Sequence, residues 1–223
     1  MKEINKIFGI GFQKTGTTSL RDAFFMLGYS VCDGCDNAMN PNIESEIYSI
    51  CYKLVEQYDA FEDHPWSVLY KDLDNRYPNS KFILTIRPTD KWIKSVSNHF
   101  QTNDIPLHKW IYGVGYPIGN ENIWIDRYEK HNAEVIEYFK DRPNDLLVLK
   151  LDGSINQEQI WNSLCVFLNH PVSKRKFPHR NSRQSRIIGD LFLNKLRHLI
   201  YKLYGKQPIN FLGIKIGKNL TQQ

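Results

Sequence analysis

Lys14 stands between Gly11 and Gly16 in the run GIGFQKTGTTSL, with Thr15, Thr17, Thr18 and Ser19 around the second glycine. A glycine-rich turn that feeds a helix offers backbone N–H groups and the positive end of a helix dipole, and together these bind an anion. The two glycines have the spacing of the common nucleotide-binding loop. In that loop a lysine follows the second glycine to reach the β- and γ-phosphates, and the next hydroxyl helps to hold magnesium. Here Thr17 follows Gly16, and the lysine comes two residues before it. An ammonium in that place lies over the anion from the loop side. That suits neutralising one bridging or leaving oxygen better than cradling a triphosphate chain. The small residues Thr15, Gly16, Thr17, Thr18 and Ser19 let anionic oxygens sit against the backbone.

Three other groups have chemistry to offer. The apolar run FILTIR ends in Arg87, and Ser95 follows eight residues later at the end of DKWIKS. An arginine gives an anion a charge-assisted, bidentate partner, and a helix hydroxyl adds a neutral bond. FEDHPW (61–66) supplies Glu62, Asp63 and His64. A general base must come within hydrogen-bond reach of the proton it takes. His64 has the ordinary pKa nearest neutrality, whereas an aspartate at a helix boundary also serves as a cap. KFPHRNSR (176–183) carries Arg180 and Arg183, either as a further anion contact or as a solvated surface.

These residues carry a resemblance. GFQKTGTTSL is similar to the 5′-phosphosulfate loop of the sulfotransferases that use 3′-phosphoadenosine 5′-phosphosulfate (PAPS), where a lysine precedes Gly-Thr-Thr in this way. The Arg87 and Ser95 pair resembles their 3′-phosphate site, and DKWIKS resembles the run found in bacterial-type members. The resemblance covers residues 5 to about 183. It implies an α/β, P-loop nucleotide-binding-like sulfotransferase fold. It also implies sulfuryl transfer from PAPS, without a metal, to a hydroxyl of a carbohydrate, lipid or small-molecule acceptor, leaving 3′-phosphoadenosine 5′-phosphate (PAP). Lys14 would stabilise the leaving oxygen; Thr15, Gly16, Thr17, Thr18, Ser19, Arg87 and Ser95 would hold the donor, with Arg180 and Arg183 closing over its 3′-phosphate. An Asp-x-Pro like that of Asp63 and Pro65 implies Asp63 as base. The histidine that small-molecule enzymes carry in this loop keeps His64 beside it. One departure stands out: family members commonly read R-[ND]-P, but Pro88 follows Arg87 directly and restricts it to extended backbone.

Apolar strands alternating with amphipathic helices position these groups and imply a mainly parallel sheet flanked by helices, with ligands at the carboxyl ends of the strands. Strands are expected at KIFGIGF (6–12), YSVC, within DAFEDHPW, KFILTIR (81–87) and LLVLKL (146–151). Helical apolar faces are expected at Leu20, Ala23, Phe24 and Leu27; at Ile47, Ile50, Leu54 and Val55; and at Trp66, Leu69, Tyr70 and Leu73. Further helices run from about Asp90 to Phe100, through Tyr128, Val135, Ile136 and Phe139, and over QEQIWNSLCVFL. Residues 102–122 have no clear period and read as a long loop, whose Trp110, Tyr112 and Tyr116, with Trp124 beyond it, either stack on a flat acceptor or anchor the loop. The sequence divides into a domain over 1–185 and an extension over 186–223. In the extension Ile188, Leu191, Phe192, Leu196, Leu199, Ile200 and Leu203 form an amphipathic helix flanked by basic residues. Such a helix suits an anionic membrane surface, self-association or packing on its own domain.

With 223 residues, 41% hydrophobic and 24% charged, the chain can build a full core. A net charge of +5 suits an anionic ligand and is too small to argue for nucleic acid. The first residues form neither a secretory signal nor a membrane span, so a cytoplasmic protein is expected. Cys32 and Cys35 in CDGC read as reduced thiols, since no second pair or histidine stands at zinc spacing. Two other readings remain open at this stage: a magnesium-dependent nucleotide kinase or hydrolase with an atypical loop, and a non-catalytic adapter that keeps the nucleotide fold.

Overall fold

The computed structural model describes residues 5–34, 38–151 and 154–178, together with the backbone of two short strands near the carboxyl terminus. The chain forms two units, 1–177 and 178–223. The first unit is an α/β domain whose elements alternate as the apolar pattern requires. They are β1 (Ile7–Gly9), α1 (Thr17–Met26), β2 (Val31–Asp33), α2 (Ile43–Val55), β3 (Ala60–Glu62), α3 (Tyr70–Arg76) and β4 (Lys81–Ile86), followed by α4 (Thr89–Phe100), α5 (Pro106–Tyr112), α6 (Glu121–Tyr138), β5 (Leu146–Lys150) and α7 (Gln157–Phe167). Among the described residues of the second unit are β6 (Ile209–Phe211) and β7 (Ile214–Ile216), an antiparallel pair. The amphipathic helix expected over 186–206 lies outside the described residues.

The five strands of the first unit run in the order β2-β3-β1-β4-β5, and every neighbouring pair is parallel. Parallel strands are buried on both faces, and successive side chains serve opposite faces. Ile7, Ala60 and Ile83 thus meet Leu20, Phe24, Trp161 and Leu164 from α1 and α7. Phe8, Phe61, Phe82 and Leu84 face the other layer, which contains Ile47, Leu73, Trp92, Ile111, Trp124 and Tyr128 from α2 through α6. The central strand β1 sends its chain into the glycine loop with β3 and β4 on either side, so the ends of all three strands converge there.

Three expectations change. The stretch 102–122 contains α5, opened by Pro106 at its first position and closed by Gly113 with φ 80°, and its end already belongs to α6. Seven residues are too short to display a period, but proline at the start and left-handed glycine after the end are the ordinary helix punctuation. On α2 the buried face is Ile43, Ile47, Cys51 and Val55; Ile50 lies at its margin. On α6 it is Trp124, Tyr128, His131 and Val135, while Ile136 is 48% exposed.

Candidate active site

The loop from Ile10 to Gly16 follows the carboxyl end of β1, and the carbonyls of Ile10, Phe12, Gln13 and Lys14 each accept a side-chain hydrogen bond. The Ile10 carbonyl accepts from His131 Nε2 at 2.8 Å, and that of Phe12 accepts from Thr15 Oγ1 at 2.6 Å. Trp92 Nε1 donates to the Gln13 carbonyl at 2.9 Å, and Arg87 Nη1 to that of Lys14 at 3.3 Å. Thr15 spends its only hydroxyl proton on Phe12, so the 2.6 Å contact with Thr85 Oγ1 has Thr85 as donor. Burial pushes the His131 imidazole down to about 3 despite the Ile10 bond, so it is neutral and donates through Nε2.

With these four carbonyls occupied, the loop is left to present N–H groups and cations. The first N–H groups of α1, at Thr17 and Thr18, have no carbonyl within the helix to bond. Gly16 at the cap position gives no side-chain cap, and the first turn carries no acidic residue. Both glycines are required by space. A Cβ on Gly11 would overlap the hydroxyl and backbone of Thr85, and one on Gly16, at φ 110°, would run into the side chain of Leu151. Thr15, Thr17 and Ser19 are buried, Lys14 is half-buried and Thr18 is exposed. These residues fit a phosphosulfate group: an uncapped helix start, a cradle that side chains would fill, and a lysine of one charge beside it.

Asp63 comes to this loop from the end of β3. Its Oδ2 accepts from Thr17 Oγ1 at 3.2 Å and its Oδ1 from the His64 N–H at 2.8 Å. Burial pushes its carboxyl up to about 6, with the charge of Asp33 adding to the rise; the two hydrogen bonds and the ammonium of Lys14 work against it. Lys14 and Asp63 both occupy the left-handed region, at φ 67° and 73°. Non-glycine residues pay for that conformation, and such strain is concentrated at functional sites.

His64 goes the other way. It is 6% exposed, its Nδ1 meets Ser67 Oγ at 2.5 Å and its Nε2 meets the Tyr112 hydroxyl at 3.2 Å. Burial, with the nearby His108, His131 and Arg127, lowers it far enough to keep it neutral. Both ring nitrogens therefore have partners in the core, and Asp63 is the carboxylate the chain brings to the loop. Of the aromatics offered as an acceptor surface, Tyr112 and Trp124 are buried and stacked on one another at 3.7 Å, which makes them anchors.

Arg87 leaves β4 as expected, and the bond to the Lys14 carbonyl joins two motifs 73 residues apart. Its backbone is held by a residue that the pattern assigned only to the core. Tyr128 on α6 accepts from the Arg87 N–H at 2.9 Å and donates to its carbonyl at 2.8 Å. Tyr128 also stacks on Trp92 at 4.1 Å. Both aromatics thus support the site through polar tips that apolar periodicity does not reveal. Pro88 has extended backbone before α4, with ψ 134°, and serves as its cap. Ser95 stands half-buried on α4, and among the described residues no hydrogen bond joins it to the loop. Arg180 and Arg183 lie outside the described residues.

A family model described as "Sulfotransferase domain" matches residues 6–117 and 107–186. The chain belongs to this sulfotransferase family. A protein named "Ava biosynthesis cluster protein M" from Aspergillus versicolor is 23% identical over 190 residues, covering 74% of this chain and 70% of that protein. The crystal structure of a sulfotransferase from Alicyclobacillus acidocaldarius superposes with a TM-score of 0.50 at 16% identity, over 91% of this chain and 96% of that one. That likeness is one of fold, and it agrees with the five-stranded parallel sheet. The sulfotransferase domain is thus a transferase, and its matched residues include the loop, Asp63 and Arg87. Among the described residues no helix is long and apolar enough to cross a membrane.

Proposed function

We propose that this sulfotransferase moves a sulfuryl group from PAPS to the hydroxyl of a carbohydrate, lipid or small-molecule acceptor. The observation that carries the reading is the hydrogen bond from Arg87 to the carbonyl of Lys14, with Asp63 bonded to Thr17 on the adjoining helix start. One cation for a 5′-phosphosulfate, one for a 3′-phosphate and one carboxylate for an acceptor proton are gathered around one loop. The donor would be held by the N–H groups at the start of α1, by Lys14 and by Arg87. The acceptor oxygen forms a bond to sulfur as the bond from sulfur to the 5′-phosphate oxygen breaks. The acceptor proton goes to Asp63, and PAP leaves with its new negative charge facing Lys14. Transfer of this kind asks the protein chiefly for alignment and for stabilisation of charge on the leaving oxygen.

Calorimetric titration with PAP in EDTA, beside ATP with magnesium, tests the reading. PAP is expected to bind without metal, and Arg87→Ala to weaken it roughly 10- to 100-fold, as loss of a charged hydrogen bond does. Binding of ATP with magnesium alone would replace this reading with that of a nucleotide kinase.

A further inference from the structure

The carboxyl ends of β2 and β3 hold a charged group that the reaction above leaves unused. Parallel register sets Asp33 beside Glu62. Arg21, one turn beyond Thr17 on α1, forms an ion pair with Asp33, whose side chain is 53% exposed. Glu62 is only 1% exposed, and its Oε2 is buried with no donor in reach. Register brings its carboxyl alongside that of Asp33, and burial, with the charges of Asp63 and Asp33, pushes it well above the usual carboxylate range. Gly9 on β1 leaves room beside Glu62: a Cβ built there would stand 3.1 Å from that of Glu62 and closer still to Leu20.

Two carboxyl groups can hydrogen-bond only if one of them carries a proton. Asp33 is open to water and faces a guanidinium, so the negative charge is best placed there. Glu62 is enclosed and has a carboxylate on each side, Asp33 across the sheet and Asp63 next in sequence. We propose that Glu62 carries a proton at neutral pH and donates it to Asp33, and that this Arg21, Asp33, Glu62 chain is a positioning device that sets the pH at which Asp63 ionises. The inference rests on the reading of Asp63 as the base.

The groups around Asp63 come from several elements: Lys14 in the loop, Thr17 on α1, Asp33 on β2 and the adjacent His64 act on it, Glu62 on β3 and Tyr112 on α5 feel its charge, and Arg21 on α1 acts through Asp33, with which it pairs. A neutral Glu62 spares Asp63 a full negative charge on its immediate neighbour. The charge remaining on Asp33 still raises Asp63, and Lys14 lowers it. The balance leaves Asp63 a better proton acceptor than an ordinary aspartate, yet ionised at neutral pH.

The test is a carbon-13 NMR titration of aspartate and glutamate carboxyls in the full chain, for wild type, Glu62→Gln, Asp33→Asn, Arg21→Met and Asp63→Asn. One glutamate carboxyl is expected to remain protonated at pH 7 and to vanish in Glu62→Gln. The Asp63 signal, identified by its loss in Asp63→Asn, should titrate near pH 6 and stay in place in Glu62→Gln. It should move down by about half a pH unit or more in Asp33→Asn, and up in Arg21→Met. A purely structural role would alter the melting temperatures and leave these midpoints alone. A Glu62 signal ionised at pH 7, or an Asp63 midpoint unmoved in Asp33→Asn and Arg21→Met, overturns the inference. Turnover of Asp63→Asn is a separate readout. An inactive variant beside unmoved midpoints removes the proton chain and keeps the base, whereas an active variant removes the base itself.

Discussion

Asp63 and Asp74 are two carboxylates of one domain held in opposite ways. Asp74, on α3 before the amino end of β4, has a side chain 12% exposed and is gripped by a fork. Arg142 Nη1 reaches its Oδ1 at 3.1 Å and Nη2 its Oδ2 at 2.7 Å, while the Tyr138 hydroxyl donates at 2.8 Å. Asp63, at the carboxyl end of β3, is held by neutral donors, a hydroxyl at 3.2 Å and an N–H at 2.8 Å. A bidentate arginine matches a carboxylate's charge and fixes it as structure. A buried carboxylate whose hydrogen bonds come from neutral donors has its charge only partly offset, here by the ammonium of Lys14, and burial leaves it more basic than usual. The same residue type thus supports the fold at one end of the sheet and, in the function proposed above, takes the acceptor proton at the other.

The largest test of the contrast is turnover, measured as initial rates with an acceptor found by screening hydroxyl compounds against the wild type. Asp63→Asn is expected to lower the rate by about 10²- to 10⁴-fold, the range for a general base. Lys14→Ala should lower it by roughly 100- to 1000-fold, as loss of one preorganised donor does. Asp74→Asn should leave the rate per folded molecule unchanged. Near wild-type turnover in Asp63→Asn would collapse the distinction.

The next test is stability, where the two aspartates should respond with opposite signs. Burial raises Asp63 from 3.8 to about 6, so between those values the folded state holds a proton that the unfolded state has released. Stability contributed by this group is therefore present below about pH 4 and is lost as pH rises through about 6. Asp63→Asn removes that loss and should raise the melting temperature at pH 8, with the gain shrinking as pH falls toward 4. Asp74→Asn breaks the fork and should lower stability by about 1–3 kcal/mol. Thermal melts of both variants at pH 8 and pH 4.5 decide the matter; a destabilised Asp63→Asn at pH 8 would show that its hydrogen bonds outweigh its desolvation.

The same division explains what the sequence made legible. The strand KFILTIR and the loop containing Lys14 are local signals, a run of apolar residues and a glycine spacing, and each is found where expected. Arg87 was legible as the end of that strand. The support beneath these residues was not. Tyr128 and His131 sit on the buried face of α6, and nothing local says that their polar tips meet Arg87 and Ile10. Asp33 and Glu62 become neighbours only through parallel register, and α5 is too short to show a period. Periodicity of the large aliphatic and aromatic residues misplaces the margins of α2 and α6, because Cys51 and His131 complete their buried faces.

The smallest effect isolates how Arg87 is aimed. Burial pushes the Tyr128 phenol above its ordinary value, so it keeps its proton and can both accept from and donate to the Arg87 backbone. Proline follows Arg87, so the strand end has no next N–H with which to continue its pairing. Tyr128→Phe leaves the stack on Trp92 in place and removes only the hydroxyl. The Arg87 N–H and carbonyl then lose a partner, at a cost of about 1–3 kcal/mol in stability. The guanidinium still has its bond to the Lys14 carbonyl, so PAP affinity should fall by only about 3- to 10-fold, less than in Arg87→Ala. Calorimetry on the two variants separates the backbone contribution from the side-chain one. Unchanged affinity in a destabilised Tyr128→Phe would mean that the Lys14 carbonyl alone orients Arg87, and that Tyr128 belongs with Asp74 on the structural side of the comparison.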